Sequence, residues 1–218
     1  MKSTLLTRGA VVTAVSGLVL AVSACSSDDS SGASPSSTAG SASGSAATSA
    51  TTPADTPFGA GCTAVPAAGP GSFAAMAAAP FATAASGNPA LSSLVQAMTT
   101  ANLVDSLNTT PELTVLAPAN PAFDAVPADQ RQALMADSPH LTALLLHHVI
   151  QGRLTPDRLA GTHTTLNNDE VTIEGSGDSF TIAGEGTVIG TAATVICGNV
   201  PTANATVYVI DQVLKPAS

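Results

Sequence analysis

The chain has no tryptophan, one tyrosine and five phenylalanines among its 218 residues. A hydrophobic core must therefore be built mainly from alanine, valine, leucine and isoleucine. Basic residues are also scarce, because six lysines and arginines stand against fifteen acidic residues and give a formal net charge of −9. Such a chain is not expected to bind nucleic acid by neutralising phosphates, and charge does not attract it to anionic lipid.

A long apolar run is also missing, since spanning a bilayer takes about 20 residues. Residues 10–24 form a shorter apolar segment behind the basic residues Lys2 and Arg8. This arrangement is typical of a secretory signal peptide, which we place at residues 1–24. Removal of the two basic residues with the leader would bring the net charge to −11.

The leader ends in Val22-Ser23-Ala24, directly before Cys25. Two small residues directly before a cysteine resemble the lipobox of bacterial lipoproteins. The resemblance implies attachment of diacylglycerol to Cys25 and cleavage before it, and two acyl chains suffice for stable anchoring. The alternative is ordinary signal cleavage, with Cys25 incidental.

Residues 25–57 consist almost entirely of serine, glycine, alanine, threonine and proline. A segment of this composition cannot bury enough apolar surface to fold, so we expect a disordered tether. As a flexible chain it would span about 30 Å root-mean-square. The remaining residues, 58–218, have the length of one ordinary domain.

Two cysteines, Cys62 and Cys197, remain besides Cys25. An exported chain with two cysteines most simply pairs them in a disulfide. A redox or metal role would need partners at CxxC-like spacing, which the sequence does not contain.

A ten-residue stretch beginning at Thr114 combines a strand with a helix start. Residues 113–117 are apolar and β-branched and precede Pro118, a pattern that predicts a buried strand. Asn120 suits a helix cap and Pro121 the first helical position, and Phe123 is placed to pack on the core.

Two further stretches accompany this one. Residues 144–150, Leu-Leu-Leu-His-His-Val-Ile, predict a helix end that runs into a strand, and residues 204–216 contain the strand-like Val-Tyr-Val-Ile-Asp-Gln-Val-Leu-Lys-Pro. In this order the three stretches resemble the boxes of the fasciclin (FAS1) domain, over roughly residues 60–217. Leu116 replaces an aromatic residue of the first box, and His147 stands where the second box usually has tyrosine.

The resemblance implies an α+β fold, in which a wedge-like β-sandwich of two sheets is flanked by a cluster of short helices. Within the family, the chain is similar to the secreted and lipid-anchored single-FAS1 antigens of mycobacteria and related actinobacteria. The residues that it marks as structural members of the core motifs are Thr114, Pro118, Asn120, Phe123, His148 and Asp211.

The order of predicted elements also favours an α+β fold, because helices come first and clustered strands last. Short helices are predicted over residues 72–107, from Pro127, from Ser138-Pro139 and over 155–159. Strands follow from Thr164, with turns at 175–178 and 184–186, a strand from Thr187 to Cys197 and a loop at 199–204 before the last strand.

No catalytic or metal-binding constellation emerges from the side chains. His147 and His148 are adjacent, so they point in different directions and cannot easily share one metal ion. We expect His148 in the core with hydrogen bonds and His147 near the surface, and we expect Asp211 to be a buried carboxylate that accepts backbone hydrogen bonds. Sequons at Asn108 and Asn204 are interpreted as coincidental.

We therefore expect a protein with no catalytic residues, metal or cofactor, anchored through Cys25 at the extracytoplasmic face of a bacterial membrane and partly shed. The resemblance implies adhesion to extracellular-matrix or cell-envelope proteins or glycans. The loops after Ile150 and at 184–191 are the expected contact segments, since exposed loops are mobile. The alternative is a carrier of lipid or another apolar ligand in the cell envelope. A hydrolase would need a catalytic set of which the sequence gives no sign.

Overall fold

The computed structural model describes residues 56–216. The predicted signal peptide, Cys25 and the tether up to residue 55 lie outside the described residues, as do residues 217 and 218. Within the described part, no helix is long and apolar enough to cross a membrane.

Eight short α-helices occur between residues 56 and 216. They are α1 (Phe73–Ala77), α2 (Phe81–Ser86), α3 (Ser92–Thr100), α4 (Val104–Thr109), α5 (Asn120–Ala125), α6 (Ala128–Ala136), α7 (Ser138–His147) and α8 (Pro156–Leu159). Proline lies in the first turn of α5, α7 and α8, where its missing N–H costs nothing. The Asp137 side chain caps α7 by accepting from the backbone N–H of His140.

Seven strands pair in the order β2-β1-β7-β6-β5-β4-β3. They are β1 (Leu113–Pro118), β2 (Val149–Gln151), β3 (Gly161–Thr164), β4 (Glu170–Ser176), β5 (Ser179–Ile182), β6 (Ala193–Pro201) and β7 (Ala205–Ile210). Strands β1 and β7 run parallel and the other pairs antiparallel. The sheet is nearly closed, because a bridge between Ile150 and Thr165 joins its two ends. This mixed sheet with its helices confirms the α+β class, and its two layers are continuous through β6.

Side chains alternate along β7 between two hydrophobic cores. Val207 and Val209 face the core that the helices cover, and Tyr208 and Ile210 face the core between the sheet layers. Because each fully buried aliphatic or aromatic side chain contributes about 1.5–3 kcal/mol, a strand with both faces buried fixes its own register. The few aromatic residues are used in the same way, since Phe81 and Phe180 are both almost fully buried.

The segment before α1 is attached to β6. Cys62 is disulfide-bonded to Cys197, with a Cα–Cα distance of 4.8 Å. Phe58 pairs with Gly198 through two backbone hydrogen bonds. A Cβ atom at Gly198 would lie 2.3 Å from the Phe58 ring, so only glycine allows this approach. The segment upstream of α1 is therefore packed as part of the domain.

The predicted strand from Thr187 is wrong in its first half. Residues 184–186 form the predicted turn as a 3-10 helix, and β6 begins only at Ala193. It continues to Pro201, so the predicted loop at 199–204 is shortened to residues 202–204. The Thr187 hydroxyl lies within hydrogen-bonding distance of the carbonyl oxygens of Gly184 and Thr191. Thr187 itself forms an isolated antiparallel bridge with Leu214 and is not part of a strand. Two register shifts let β6 run on past Cys197.

Candidate functional site

Thr114 fixes the loop that follows β2. Its side chain is fully buried, and its hydroxyl donates to the Gly152 carbonyl at 2.7 Å and accepts from the Leu154 N–H at 2.8 Å. The Tyr208 hydroxyl donates to the Leu154 carbonyl at 2.8 Å. Burial raises the pKa of Tyr208, so this hydroxyl remains a donor. Side chains of β1 and β7 thus fix the loop at residues 152–154 by hydrogen bonds.

Asn120 does not cap its own helix as predicted. It lies inside the first turn of α5, and its Oδ1 accepts from the backbone N–H of Ser93 at 3.0 Å. Its Nδ2 donates to the Pro89 carbonyl at 2.8 Å. The amide therefore satisfies backbone groups at the start of α3, a helix that precedes it by almost thirty residues.

Asn204 has a comparable structural role that the sequence did not indicate. Its Oδ1 accepts from the Phe81 N–H at 2.8 Å, and its Nδ2 donates to the carbonyl oxygens of Leu107 and Thr110 at 2.7 and 2.8 Å. Asn108 accepts from the N–H groups of Ala82 and Thr83. Both sequon asparagines thus stabilise the start of α2, and their amides are already engaged.

His148 lies in the core, with 1% of its surface exposed. Its Nδ1 is 2.8 Å from the Leu144 carbonyl, and its Nε2 accepts from the Leu214 N–H at 3.0 Å. The carbonyl requires a proton on Nδ1, whereas the N–H requires none on Nε2, so the geometry selects one neutral tautomer. Burial lowers the pKa of His148 to about 4. The hydrogen bond to the Leu144 carbonyl raises this pKa in part, and the neighbouring His147 lowers it further.

The prediction that His147 lies near the surface is wrong, since 2% of it is exposed. Its Nδ1 lies 2.7 Å from an oxygen of Asp169, a residue that the sequence analysis did not single out. Burial raises the pKa of Asp169, but hydrogen bonds from Thr165, Asn167 and His147 outweigh it and lower the pKa to about 2. A carboxylate with this many donors can hold the imidazole ring in one orientation.

The remaining motif residues are structural. Pro118 ends β1 opposite Ile210, and Phe123 packs into the helix-side core with 2% of its surface exposed. Asp211 is half-buried just after β7, so the expected full burial is wrong. Its Oδ1 nevertheless accepts from the Thr194 N–H at 2.7 Å, which extends the pairing of β6 with β7 by one residue.

Lys215 lies between two open clefts on one face of the domain. The first, here called the apolar cleft, has a volume of about 410 Å³ and is lined mainly by Val126, Leu134, Leu144 and Val188. Lys215 also lines this cleft. Its walls come from α6, α7 and the segment 184–191.

The second, here called the polar cleft, has a volume of about 420 Å³. Its polar lining includes His147, Glu170, Glu185 and, again, Lys215. Both volumes fall within the range of about 300–1,000 Å³ that is usual for ligand sites. The ammonium group of Lys215 makes no ion pair within residues 56–216. We call the two clefts together the Lys215 face.

The two expected contact loops are fixed by hydrogen bonds. Arg153, in the loop after β2, donates to the carbonyl oxygens of Thr202 and Ala203. In the segment 184–191, the N–H of Val188 donates to the Val213 carbonyl at 2.9 Å. Mobility is therefore no reason to select these loops, although the second one borders the Lys215 face.

The arrangement offers two clefts as binding surfaces. Among the described residues, no three His, Cys, Asp or Glu side chains converge in a way that could hold a metal ion. The Thr165 hydroxyl donates to Asp169 and not to His147, so these three side chains do not form a nucleophile–base–acid relay.

The fold can now be compared with known proteins. A model of the fasciclin domain matches residues 89–216. The chain belongs to the fasciclin family. A FAS1 domain pair from the insect cell adhesion molecule fasciclin I has a TM-score of 0.53 at 17% identity, covering 62% of this chain and 50% of that one. This likeness confirms the FAS1 fold.

Fasciclin-family proteins of mycobacteria are similar in sequence as well. The cell surface glycolipoprotein MPT83 of Mycobacterium tuberculosis is 46% identical over 153 residues, which cover 68% of this chain and 66% of MPT83. The match thus spans slightly less than two thirds of that relative. The immunogenic protein MPB70 of Mycobacterium bovis is 42% identical over 166 residues, which cover 72% of this chain and 81% of MPB70. The predicted resemblance to mycobacterial FAS1 surface antigens is confirmed.

Proposed function

We propose that the protein is a non-enzymatic surface lipoprotein whose FAS1 domain binds a protein or glycan of the cell envelope or extracellular matrix. The observation that carries this proposal is the Lys215 face, where two clefts adjoin on a rigid framework. Val188 and His147, which line the two clefts, are each fixed there by hydrogen bonds. A preorganised surface loses little conformational entropy on binding, so its contacts contribute more fully to affinity.

The polar cleft is the expected contact for a polar partner. Glu170 and Glu185 supply acceptors, and Lys215 supplies a donor with no ion pair among the described residues. This mixture of charges suits hydroxyl-rich glycans and polar protein surfaces, where bonds to charged groups are about twice as strong as neutral ones.

The membrane anchor belongs to the same proposal. Lipid on Cys25 and the tether of residues 25–57 would hold the domain outside the membrane with freedom to reach partners. The names of similar mycobacterial proteins, which include a cell surface glycolipoprotein, support this placement. Part of the protein would be shed by cleavage within the tether.

Replacing Cys25 by serine should release the protein from the membrane fraction, because serine cannot form the thioether that carries diacylglycerol. Fractionation of expressing cells with detergent-free washing, followed by immunoblotting, measures this release. The matched control is Ser26→Ala, which leaves the lipid acceptor in place and should stay membrane-bound. Retention of the serine variant in the membrane would refute the anchor.

Charge reversal in the polar cleft should weaken partner binding about tenfold, because contacts that Glu170 makes as an acceptor become repulsive. The chain from Ser26 to Ser218 is immobilised and tested against envelope fractions and purified matrix proteins, as wild type and as Glu170→Lys. The control is Glu174→Lys, since Glu174 is also exposed and lies in the same strand, outside both clefts. Equal loss in the two variants would rule out the polar cleft as the contact, and absence of any saturable partner would refute the interaction function.

A further inference from the structure

The apolar cleft exposes apolar residues of α6 that the other elements between residues 56 and 216 leave partly uncovered. No residue of α6 is fully buried, although Leu134 packs partly against the helix-side core. Leu144 of α7 and Val188 form the opposing wall. Apolar surface that lines a concave cleft is costly to leave in water and favours an apolar ligand.

The size of the cleft limits the ligand. Its volume of about 410 Å³ lies toward the lower end of the range of about 300–1,000 Å³ that is usual for ligand sites. That is enough for a single acyl chain of medium length and too little for the two chains of a phospholipid. Each buried methylene contributes about 0.8 kcal/mol, so such a chain suffices for measurable binding.

The charges around the cleft select the head group. Lys215 is exposed, lines the cleft and has no ion pair among the described residues. The one carboxylate in the lining, Asp137, accepts a hydrogen bond from the backbone N–H of His140 at the start of α7. Gln130 is neutral and His140 is exposed. An anionic group at the mouth of the cleft would therefore meet the Lys215 ammonium first.

The polar cleft cannot take this head group equally well. Two carboxylates, those of Glu170 and Glu185, line it and would repel an anionic head group more strongly than the single carboxylate of Asp137 in the apolar cleft. An anionic amphiphile is therefore oriented, with its tail toward Leu134 and its head at Lys215 on the side of the apolar cleft.

We propose that the apolar cleft is a binding site for one fatty-acid molecule of medium chain length, with its carboxylate paired to Lys215. The fatty-acid site shares Lys215 with the proposed partner site, but its other lining residues belong to the apolar cleft, so it does not rest on partner binding at Glu170. It would make the protein a carrier or sensor of free fatty acid at the surface where the domain is exposed.

The test uses the chain from Ser26 to Ser218, which retains every described core residue and the Cys62–Cys197 disulfide and lacks the predicted lipid acceptor. Decanoate and 1-decanol, which share a tail and differ in charge, are titrated calorimetrically below their aggregation limits. Wild type should bind decanoate saturably at one site. Lys215→Met should weaken decanoate about three- to fivefold, as for an exposed ion pair, and leave decanol unchanged.

Two further variants complete the design. Arg158→Met removes an exposed cation that lines neither cleft. It should leave the affinity for both ligands unchanged, so it controls for the change in net charge. Ala133→Trp fills the apolar cleft from an exposed position of α6 and should abolish the binding of both decanoate and decanol. Because the chain has no other tryptophan, the emission of this ring reports whether it occupies the cleft.

Two results would overturn the proposal. One is the absence of saturable binding of decanoate to the wild type. The other is an equal loss of affinity for decanoate and decanol in Lys215→Met, which would show that Lys215 does not pair with the carboxylate. Neither result depends on the Glu170→Lys experiment, so the fatty-acid site and the partner site fail separately.

Discussion

Replacing Cys62 and Cys197 together by alanine should lower the free energy of unfolding by several kcal/mol. The disulfide joins residues that are 135 positions apart, so it closes most of the domain into one loop. The chain-entropy model gives about 5 kcal/mol for a loop of this length as an upper value. Native stability is typically about 5–15 kcal/mol in total, so the loss would be a large fraction of it.

The physical reason includes the structure next to the bridge. Cys197 is buried with 1% of its surface exposed, and the neighbouring Gly198 pairs with Phe58. The Phe58 ring in turn packs near Phe180 and Tyr208, at centroid distances of 6.0 and 6.4 Å. Without the covalent link, the segment before α1 can detach from β6 and expose the core between the sheet layers.

Guanidinium unfolding of the chain from Ser26 measures the effect as a lower midpoint. Wild type treated with a reductant should unfold at nearly the same midpoint as the double variant, since both lack the bridge. Thiol titration of the denatured, unreduced wild type should find no free thiol. Two free thiols, or an unchanged midpoint in the double variant, would disprove a stabilising disulfide.

Much of the fold could be predicted because its signals are local. The run from Leu113 to Pro118 is apolar and ends at proline, and it is strand β1. The turn between β4 and β5 was equally legible, since Gly177 has a φ of 64°, which favours glycine. The predicted turn at 175–178 was too long, because Gly175 and Ser176 pair with β5. Patterns of this kind need no knowledge of distant residues.

The errors share a different cause, namely a tertiary contact that overrides a local preference. Asn120 has the sequence context of a helix cap, yet it bonds to Ser93 of α3. His147 follows a leucine run at a helix end, and only its pairing with Asp169 explains why it is buried. Asp169 follows two asparagines in a turn, so its composition indicated a loop and nothing more.

The Lys215 face could not have been predicted either, because it too depends on contacts between residues that are distant in the chain. Its residues come from α6, α7, β4, the segment 184–191 and the C-terminal stretch, which are far apart in the chain. One weak signal was available, since Lys215 is the only lysine between residues 56 and 216. In a chain with so few basic residues, a solitary lysine beside an apolar sequence marks a position worth testing.

Acidification from pH 6.5 to pH 4 should destabilise the domain through His148. Burial lowers the pKa of His148 to about 4 in the folded state, against 6.5 when unfolded. Between these values the unfolded state binds the extra proton and the folded state does not, so stability rises with pH across this window and is lost as pH falls. At about 1.4 kcal/mol for each pKa unit, the full change is about 3 kcal/mol.

The geometry explains why the folded state resists this proton. Nε2 of His148 accepts from the Leu214 N–H, and a second proton on the ring would place two donors against each other in a buried site. Asp169 acts at lower pH, because its pKa of about 2 lies below the ordinary aspartate value of 3.8. Its contribution is present above 3.8 and is lost only as pH falls toward 2.

Denaturant unfolding at intervals between pH 4 and pH 7 measures the slope. His148→Gln keeps an amide donor and acceptor but cannot titrate, so its stability, although lower overall, should depend on pH less steeply by about 1.4 kcal/mol for each pH unit in this window. His140→Gln removes an exposed histidine and should leave the slope of the wild type unchanged. If the glutamine variant at position 148 retains the full slope, the acid sensitivity arises elsewhere, and the neutral tautomer assigned to His148 is not what sets it.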